Sequence, residues 1–177
     1  PDGDGPVDAR LREPVVLLAQ RLEPEKHTDE ALRVFARSGL ADRGWQLHVA
    51  GGGSERRGLV ELGCRLGIAS SVRFLGFRSD VDELLARAGV LLAPNPGEHL
   101  GLSVLEAMAA GLPVVAAGAA GHLETLGLVP QARLHPPGDV DTAAGLLSDL
   151  AGDPDARTAY AAAQRALQRE RFSLDRQ

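Results

Sequence analysis

Short apolar runs alternate along the chain with segments in which apolar residues recur at helical spacing. The runs are four or five residues long and rich in Val, Leu and Ala, which is typical of strands buried on both faces of a parallel sheet. Five strands are predicted, at 15–19, 46–50, 72–75, 90–93 and 113–116. Helices are predicted at 28–38, 54–66, 79–87, 103–110, 139–150 and 154–169.

This alternation predicts right-handed βαβ units and an α/β fold, a doubly wound, Rossmann-like parallel sheet. Ligands of such sheets bind beyond the carboxyl ends of the strands. We therefore expect a site in the loops that follow Ala19, Ala50, Leu75, Ala93 and Ala116.

Composition narrows the class of protein. Hydrophobic residues are 44% and charged residues 24% of the 177, as in a soluble globular domain. The net charge of −5 and the 3% of aromatic residues argue against a nucleic-acid partner. No apolar run reaches the ~18 residues of a membrane span. Residues 1–13, rich in Gly, Pro and Asp, are predicted to be a linker remnant, and residues 14–177 one domain.

The lone Cys64 excludes an internal disulfide and fits a reducing cytoplasm. Its place on an amphipathic helix predicts a core position. The five histidines show no metal-ligand spacing, so no metal is expected. A serine hydrolase is excluded as well, because the chain has no G-x-S-x-G elbow.

Arg21 and Lys26 directly follow the first predicted strand. They place two cations at the mouth of the sheet, ahead of a helix N-terminus with free N–H groups and a positive dipole end. An arginine that bonds bidentately and a lysine that acts as a point charge suit a diphosphate. Two solvated cations neutralised by Glu23 and Glu25 explain the pattern equally well.

Three glycines, Gly51 to Gly53, follow the second predicted strand. They do not form G-x-G-x-x-G, so a dinucleotide site is weakly supported. Gly52 is a candidate for a turn in which the backbone approaches a ligand. A plain glycine-rich turn between strand and helix accounts for it as well.

Two carboxylates, Glu98 and Glu106, lie eight positions apart after the fourth predicted strand. Gly101 permits an unusual turn between them, and the N–H groups of Leu102 and Ser103 lie near the helix start. A carboxylate that faces a pocket can accept both hydroxyls of a ribose, and open N–H groups can hold phosphate or sugar oxygens.

Two other interpretations of these carboxylates stay open. Ser103 and Glu106 fit a capping box, which would make Glu106 a feature of the helix start and leave Glu98 unexplained. A glycosidase pair is the second, disfavoured because the loops converge on one side of a strand end with cations beside them.

Together these stretches resemble the C-terminal domain of family 4 glycosyltransferases, which have the two-domain GT-B fold. The likeness covers residues 14–176 and is most specific in the E-x7-E motif and the residues after it. The matching pieces run in the family's order: Arg21-Leu-x-Pro-Glu-Lys26, Ala50-Gly-Gly-Gly53, Val72-x-Phe-x-Gly76, Pro94-Asn-Pro-Gly-Glu98 and Glu98-x7-Glu106-Ala-Met-Ala-Ala-Gly111-x-Pro-Val-Val.

The resemblance implies catalytic roles for Arg21 and Lys26, as the diphosphate-binding pair, and for Glu98, which would contact the transferred sugar. Glu106 would bind the ribose. The remaining implied substrate-binding residues are Gly101, Leu102 and Ser103 for sugar and phosphate oxygens, Phe77 and Arg78 along the base, and Gly52.

The resemblance also implies a nucleotide-diphosphate sugar as donor, no cofactor or metal, and retention of anomeric configuration. Without a metal, the phosphate charge falls to Arg21, Lys26 and the helix dipoles. Three positions depart from the family pattern. Gln20 and His27 stand where glycine is usual and are expected to narrow the phosphate pocket, and Leu100 replaces a phenylalanine.

The family's N-terminal acceptor domain is expected to precede residue 1, so we interpret the chain as the donor-binding half of a two-domain transferase. A cytoplasmic location is expected, with peripheral membrane association through the missing half as the alternative. Two rival functions stay open: a nucleotide-sugar 2-epimerase on the same fold, and a non-catalytic nucleotide-binding module. The acceptor, the nucleotide and the sugar are not determined by the sequence.

Overall fold

The computed structural model describes residues 8–172. Six parallel strands form one sheet in the order β3-β2-β1-β4-β5-β6. Their bounds are β1 Val15–Ala19, β2 Gln46–Ala50, β3 Val72–Gly76, β4 Val90–Ala93, β5 Val114–Ala117 and β6 Leu134–His135. The order reverses between β1 and β4, which is where ligands of a doubly wound sheet bind.

Within the described residues, seven α-helices flank the sheet. They are α1 Thr28–Arg37, α2 Arg56–Arg65, α3 Val81–Arg87, α4 Leu102–Ala109, α5 Ala120–Glu124, α6 Val140–Gly152 and α7 Pro154–Phe172. Helix α1 packs against α2 and α6, and α4 packs against α3 and α7, so one layer covers each face. Within residues 8–172, every helix is too short or too polar to cross a membrane.

The predicted α/β fold is confirmed, and the five predicted strands form within about one residue of their expected bounds. Strand β6 and helix α5 were missed. Strand β6 has two residues and pairs only with Ala116 and Ala117 of β5, so no apolar run could reveal it. The register places Ala19 beside Ala50, and Ala93 beside Ala116, so the carboxyl ends of these strands share one edge.

The core fills both faces of the sheet. Val16 and Leu18 of β1 are fully buried, as is Phe35 of α1. Tyr160 is buried and structural: its hydroxyl donates to the carbonyl of Val114 and accepts from the N–H of Arg133. Cys64 is exposed, so its predicted core position is wrong. It lies on the outer side of α2, which contacts the core through Leu59 and Leu62.

Part of the predicted linker packs onto the domain. Ala9–Leu11 forms a short 3-10 turn, and the backbone N–H of Ala9 donates to the hydroxyl of Thr158 on α7. The buried guanidinium of Arg12 donates to five carbonyls at the ends of α3 and α4, those of Leu85, Ala86, Ala88, Ala110 and Gly111. Residues 1–7 of that linker, and residues 173–177 of the predicted domain, lie outside the described range.

Candidate functional site

The loops at the carboxyl ends of the strands enclose a cavity of about 460 Å³. Six of the ten predicted site residues line it: Arg21, Gly52, Phe77, Arg78, Ser103 and Glu106. The other four are Lys26, Glu98, Gly101 and Leu102. Gly101 and Leu102 directly precede Ser103 in the chain, and Lys26 and Glu98 contact each other. The topology therefore brings the predicted residues to one edge of the sheet, while their individual roles stay predictions.

The loop after β1 presents the two cations. Arg21 is exposed and forms an ion pair of 3.4 Å with Glu25. Gln20 stabilises the loop, because its amide nitrogen donates to the carbonyl of Lys26 at 2.9 Å and to the hydroxyl of Thr28 at 3.0 Å. His27 then turns the chain into α1 with φ 54°, ψ 37°. This left-handed conformation favours glycine, which explains why glycine is usual there in the family the sequence resembles.

The backbone of the glycine turn after β2 lies in close contact with the backbone of the loop after β1. A Cβ atom at Gly51 would lie 1.9 Å from the carbonyl oxygen of Gln20, and one at Gly53 would lie 2.3 Å from that of Leu22. Only glycine fits at these two positions. A Cβ at Gly52 would have open space around it, and Gly52 lines the cavity. Gly51 and Gly53 thus pack against the loop after β1, and the backbone of Gly52 lies beside the cavity.

Helix α4 begins at Leu102, and its cap residue is Gly101, with φ 66° and ψ 51°. Ser103 is therefore the second helical residue, and the capping-box interpretation of Ser103 and Glu106 is wrong. The first N–H groups of α4 have no intrahelical partners, as at every helix start. These groups lie at the edge of the cavity that Ser103 lines.

Glu106 is exposed on α4, and its carboxylate has no hydrogen-bond partner within residues 8–172. Partial burial, followed by the nearby charge of Asp82, raises its pKa above the ordinary glutamate value. A carboxylate with unused acceptor oxygens at a cavity wall can accept hydroxyl protons from a ligand.

Lys26 and Glu98 meet across the switch point of the sheet. The Nζ of Lys26 lies 3.0 Å from Oε2 of Glu98, and the amide nitrogen of Asn95 donates to the same oxygen at 3.0 Å. Asn95 is buried and also accepts the N–H of Gly97 at 2.9 Å, so it holds the loop in a tight turn. The sequence contained Asn95 within the motif, but no pattern assigned it this function.

Burial by itself would raise the pKa of Glu98, but the hydrogen bond and charge of Lys26, with smaller contributions from Asn95 and His122, lower it overall. Glu98 is therefore charged at neutral pH and is held in position by two donors. A fixed negative charge next to a lysine can orient a hydroxylated ligand while the lysine binds an anion.

Phe77 and Arg78 form the outer wall of the cavity. The ring of Phe77 is 87% exposed, which is unusual for phenylalanine and leaves a flat apolar surface for a ligand. Arg78 is held by Asp80: its Nε donates at 2.7 Å to one carboxylate oxygen, and an Nη contacts the other. This pairing fixes the plane of the Arg78 guanidinium and neutralises much of its positive charge.

One group at this edge escaped sequence reasoning. His122 of α5 is 1% exposed and lies against Gly101. The loop after β5 was expected to contribute to the site, but the sequence pattern gives His122 no role, because the histidines lack metal-ligand spacing. Within residues 8–172, His, Cys, Asp and Glu side chains form no group of three that could hold a metal.

The sequence profile of one family, described as "Glycosyl transferases group 1", matches residues 6–167. The chain belongs to this family. Its fold, a six-stranded parallel sheet with helices on both faces, is that of a GT-B glycosyltransferase domain.

Two relatives are similar to most of the chain. The group 1 domain is 35% identical over 155 residues to an exopolysaccharide phosphotransferase of Streptomyces coelicolor, covering 86% of the chain and 16% of that protein. It is 36% identical to a D-inositol 3-phosphate glycosyltransferase of Streptomyces avermitilis, in an alignment that covers 93% of the chain and 39% of that protein.

Among solved structures, the group 1 domain superposes on HepE of Anabaena in complex with UDP and glucose, with a TM-score of 0.81 and 28% identity. The likeness covers 95% of the chain and 46% of HepE. The chain thus spans less than half the length of each of these relatives.

Proposed function

We propose that this chain is the donor-binding half of a retaining glycosyltransferase that takes a sugar from a nucleotide-diphosphate donor. The observation that carries the proposal is the convergence of Arg21 and Glu106 on one cavity, with the Lys26–Glu98 pair beside it. HepE, which is similar over nearly the whole chain, binds UDP and glucose, and this supports a donor of the same class.

The cavity divides into regions that match the parts of such a donor. Phe77 offers an apolar face to a base, and the carboxylate of Glu106 can accept the two hydroxyls of a ribose. Arg21 and the free N–H groups at the start of α4 suit the diphosphate. The sugar then extends toward Glu98, which is charged and fixed by Lys26 and Asn95.

In the proposed reaction, the bond between the anomeric carbon and the β-phosphate oxygen breaks. An acceptor hydroxyl oxygen bonds to the same carbon, and its proton is released with the nucleoside diphosphate. Negative charge grows on the β-phosphate as the sugar leaves, so Arg21 and Lys26 bind the transition state more strongly than the ground state. We infer that this charge is met without a metal, and donor binding should then survive a chelator.

The test is a thermal-shift panel with UDP, GDP, ADP and their glucose conjugates, each with and without a chelator. A ligand that binds only the folded domain raises its melting temperature, by an amount that grows with affinity. One nucleotide should raise it in the presence of chelator, and its sugar conjugate should raise it further. Absence of any shift, or a shift that needs Mg²⁺ or Mn²⁺, would contradict the proposal.

The chain by itself should bind donor without transferring sugar. Transfer requires a cleft that brings the acceptor to the donor and excludes water, and we propose that an N-terminal domain of the whole protein supplies its other wall. Joining that domain should give transfer. Free epimerised sugar nucleotide would instead favour the epimerase, and binding without turnover the non-catalytic module.

A further inference from the structure

Helix α5 lies directly against the loop that carries Glu98. The N–H of Gly121 donates to the carbonyl of Glu98 at 2.8 Å. A Cβ atom at Gly121 would lie 2.3 Å from the carbonyl oxygen of His99, so no larger residue fits between the two backbones. The position of the Glu98 loop therefore depends on the position of α5.

The imidazole of His122, the next residue of α5, has a defined protonation state. Its Nδ1 lies 2.9 Å from the carbonyl oxygen of Ala117, and because a carbonyl only accepts, Nδ1 carries the hydrogen. Burial lowers the pKa of His122; the Ala117 carbonyl and Glu98 act in the opposite direction and His135 adds to the lowering. With its pKa lowered, the ring is neutral at neutral pH, and Nε2 then carries a lone pair.

The far edge of this ring supports Gly101. A Cβ atom at Gly101 would lie 3.2 Å from Cδ2 and 3.6 Å from Nε2 of His122. The ring therefore fills the space beneath the left-handed turn that joins Glu98 to α4. The Nε2 atom, on that edge, has no hydrogen-bond partner within residues 8–172.

We propose that His122 is a positioning residue for the donor sugar. This rests on the proposed donor-binding function. The neutral ring is anchored to β5 through Nδ1 and holds the turn from Glu98 to Gly101, so that the carboxylate of Glu98 is presented in one orientation. His122 acts through Glu98, whose side chain has its own bonds to Lys26 and Asn95. Loops open locally when their few contacts are lost, and displacement of a sugar-binding carboxylate weakens the contacts it makes.

Two variants separate the hydrogen bond of Nδ1 to Ala117 from the support that the ring gives Gly101. His122→Ala removes both. His122→Asn keeps a donor near the Nδ1 position, which can still reach the Ala117 carbonyl, and loses the part of the ring that supports Gly101. The matched control is His48→Ala, which removes a half-buried histidine of β2 whose hydrogen bond is to Gln46.

The first readout needs no ligand. Hydrogen exchange of the backbone amides of Gly121 and Leu105, which donate to the carbonyls of Glu98 and Gly101, should accelerate at least about tenfold in His122→Ala, with His122→Asn between it and the parent. Amides of α6 should exchange at parental rates, which separates local opening from global destabilisation. Unchanged exchange of the Gly121 and Leu105 amides overturns the proposal, whatever binding shows.

The second readout compares UDP with UDP-glucose by calorimetry. His122→Ala should keep the affinity for UDP within about twofold and lose most of the extra affinity that glucose adds, and His122→Asn should recover part of it. Equal weakening of both ligands overturns a role specific to the sugar. If the parent binds no nucleoside diphosphate, the donor-binding function fails, and the exchange rates alone decide whether His122 holds the loop.

Discussion

The Nζ of Lys26 lies 3.0 Å from Oε2 of Glu98, in an ion pair that is only partly exposed. The pair joins the loop after β1 to the loop after β4, the two strands between which the order of the sheet reverses. The predicted phosphate-binding cation and the predicted sugar-binding carboxylate are thus already in contact before a ligand is present. A diphosphate would have to share Lys26 with Glu98.

The reactivity of Lys26 can be followed by chemical modification, because Lys26 is the single lysine of the sequence. We expect a nucleoside diphosphate to slow the modification of Lys26 by an amine-reactive reagent, since the bound phosphate covers Nζ. Mass spectrometry of the tryptic peptide measures the rate, and the terminal amino group is the internal control. Equal rates with and without nucleotide would show that Lys26 does not face the phosphates.

Glu98→Gln should separate sugar binding from nucleotide binding. The change removes the charge that pairs with Lys26, so a bare nucleoside diphosphate should bind as well as to the parent or slightly better. The sugar-bearing donor should lose at least about tenfold in affinity, because one charged hydrogen bond contributes about 1.5–3 kcal/mol. Calorimetry with both ligands measures the difference. Parallel loss of both affinities would place Glu98 at the phosphates instead.

Glu106→Ala should weaken nucleotide binding without lowering stability. Gly101, rather than Ser103, caps α4, so Glu106 has no capping bond to lose. We expect the melting temperature to stay at the parental value or rise slightly, and the affinity for a nucleoside diphosphate to fall at least about tenfold.

The matched control for that change is Glu170→Ala, which removes an exposed carboxylate near the end of α7. It should leave both stability and binding unchanged. Glu106→Gln, which keeps an acceptor oxygen, should bind with intermediate affinity. If Glu106→Ala binds nucleotide as the parent does, the chain shares the fold of the family but not its donor site.

Nucleotide binding should weaken as the pH falls toward the pKa of Glu106, which burial and Asp82 raise above the ordinary value of 4.5. Protonation removes the charge that accepts the ribose hydroxyls. The pKa of Glu98 is lowered overall, so Glu98 stays charged over the same window. A raised carboxyl pKa favours the folded state at low pH and loses that contribution as pH rises through it, so Glu106 itself does not promote acid unfolding.

Calorimetry between neutral pH and the onset of acid unfolding measures this dependence. Glu106→Gln provides the comparison, because the titration of phosphate groups on the ligand is the same in both proteins. The variant should show the shallower loss of affinity. Identical pH profiles for parent and variant would contradict a role for the Glu106 carboxylate.

Arg12→Met should destabilise the domain by about 2–4 kcal/mol, because five carbonyls at the ends of α3 and α4 lose their donor. Denaturant unfolding measures the change. Arg10→Met is the control: Arg10 is an exposed neighbour whose guanidinium pairs with Asp155, and exposed pairs of this kind add little to stability. An effect of Arg12→Met as small as that of Arg10→Met would mean that the bonds of Arg12 add little stability.

Much of this domain follows from local pattern. Apolar runs at 15–19 and 90–93 are typical of strands buried on both faces of a parallel sheet, and strands that alternate with helices admit essentially one handedness of crossover. The prediction that a site lies at the carboxyl ends of the strands followed from the predicted doubly wound fold. Two carboxylates eight positions apart, with a glycine between them, marked the loop after β4 as its most informative part.

Other features depended on contacts between residues distant in the chain. Strand β6 has too few residues for a pattern and exists because β5 offers it an edge. The capping box failed because the left-handed Gly101 shifts the helix start, which the sequence motif does not record. Asn95 and His122 acquire their positions at Glu98 and Gly101 only when the loops after β4 and β5 pack together.

Periodicity therefore determined the elements and their order, since burial of apolar side chains repeats with the backbone. Tertiary structure decided which polar groups meet. The ion pair of Lys26 and Glu98 joins residues 72 positions apart, and the protonation state of His122 depends on the carbonyl and charges around it. Hydrogen bonds and pKa values depend on distances in space, and a linear sequence does not contain them until the sheet has brought its loops together.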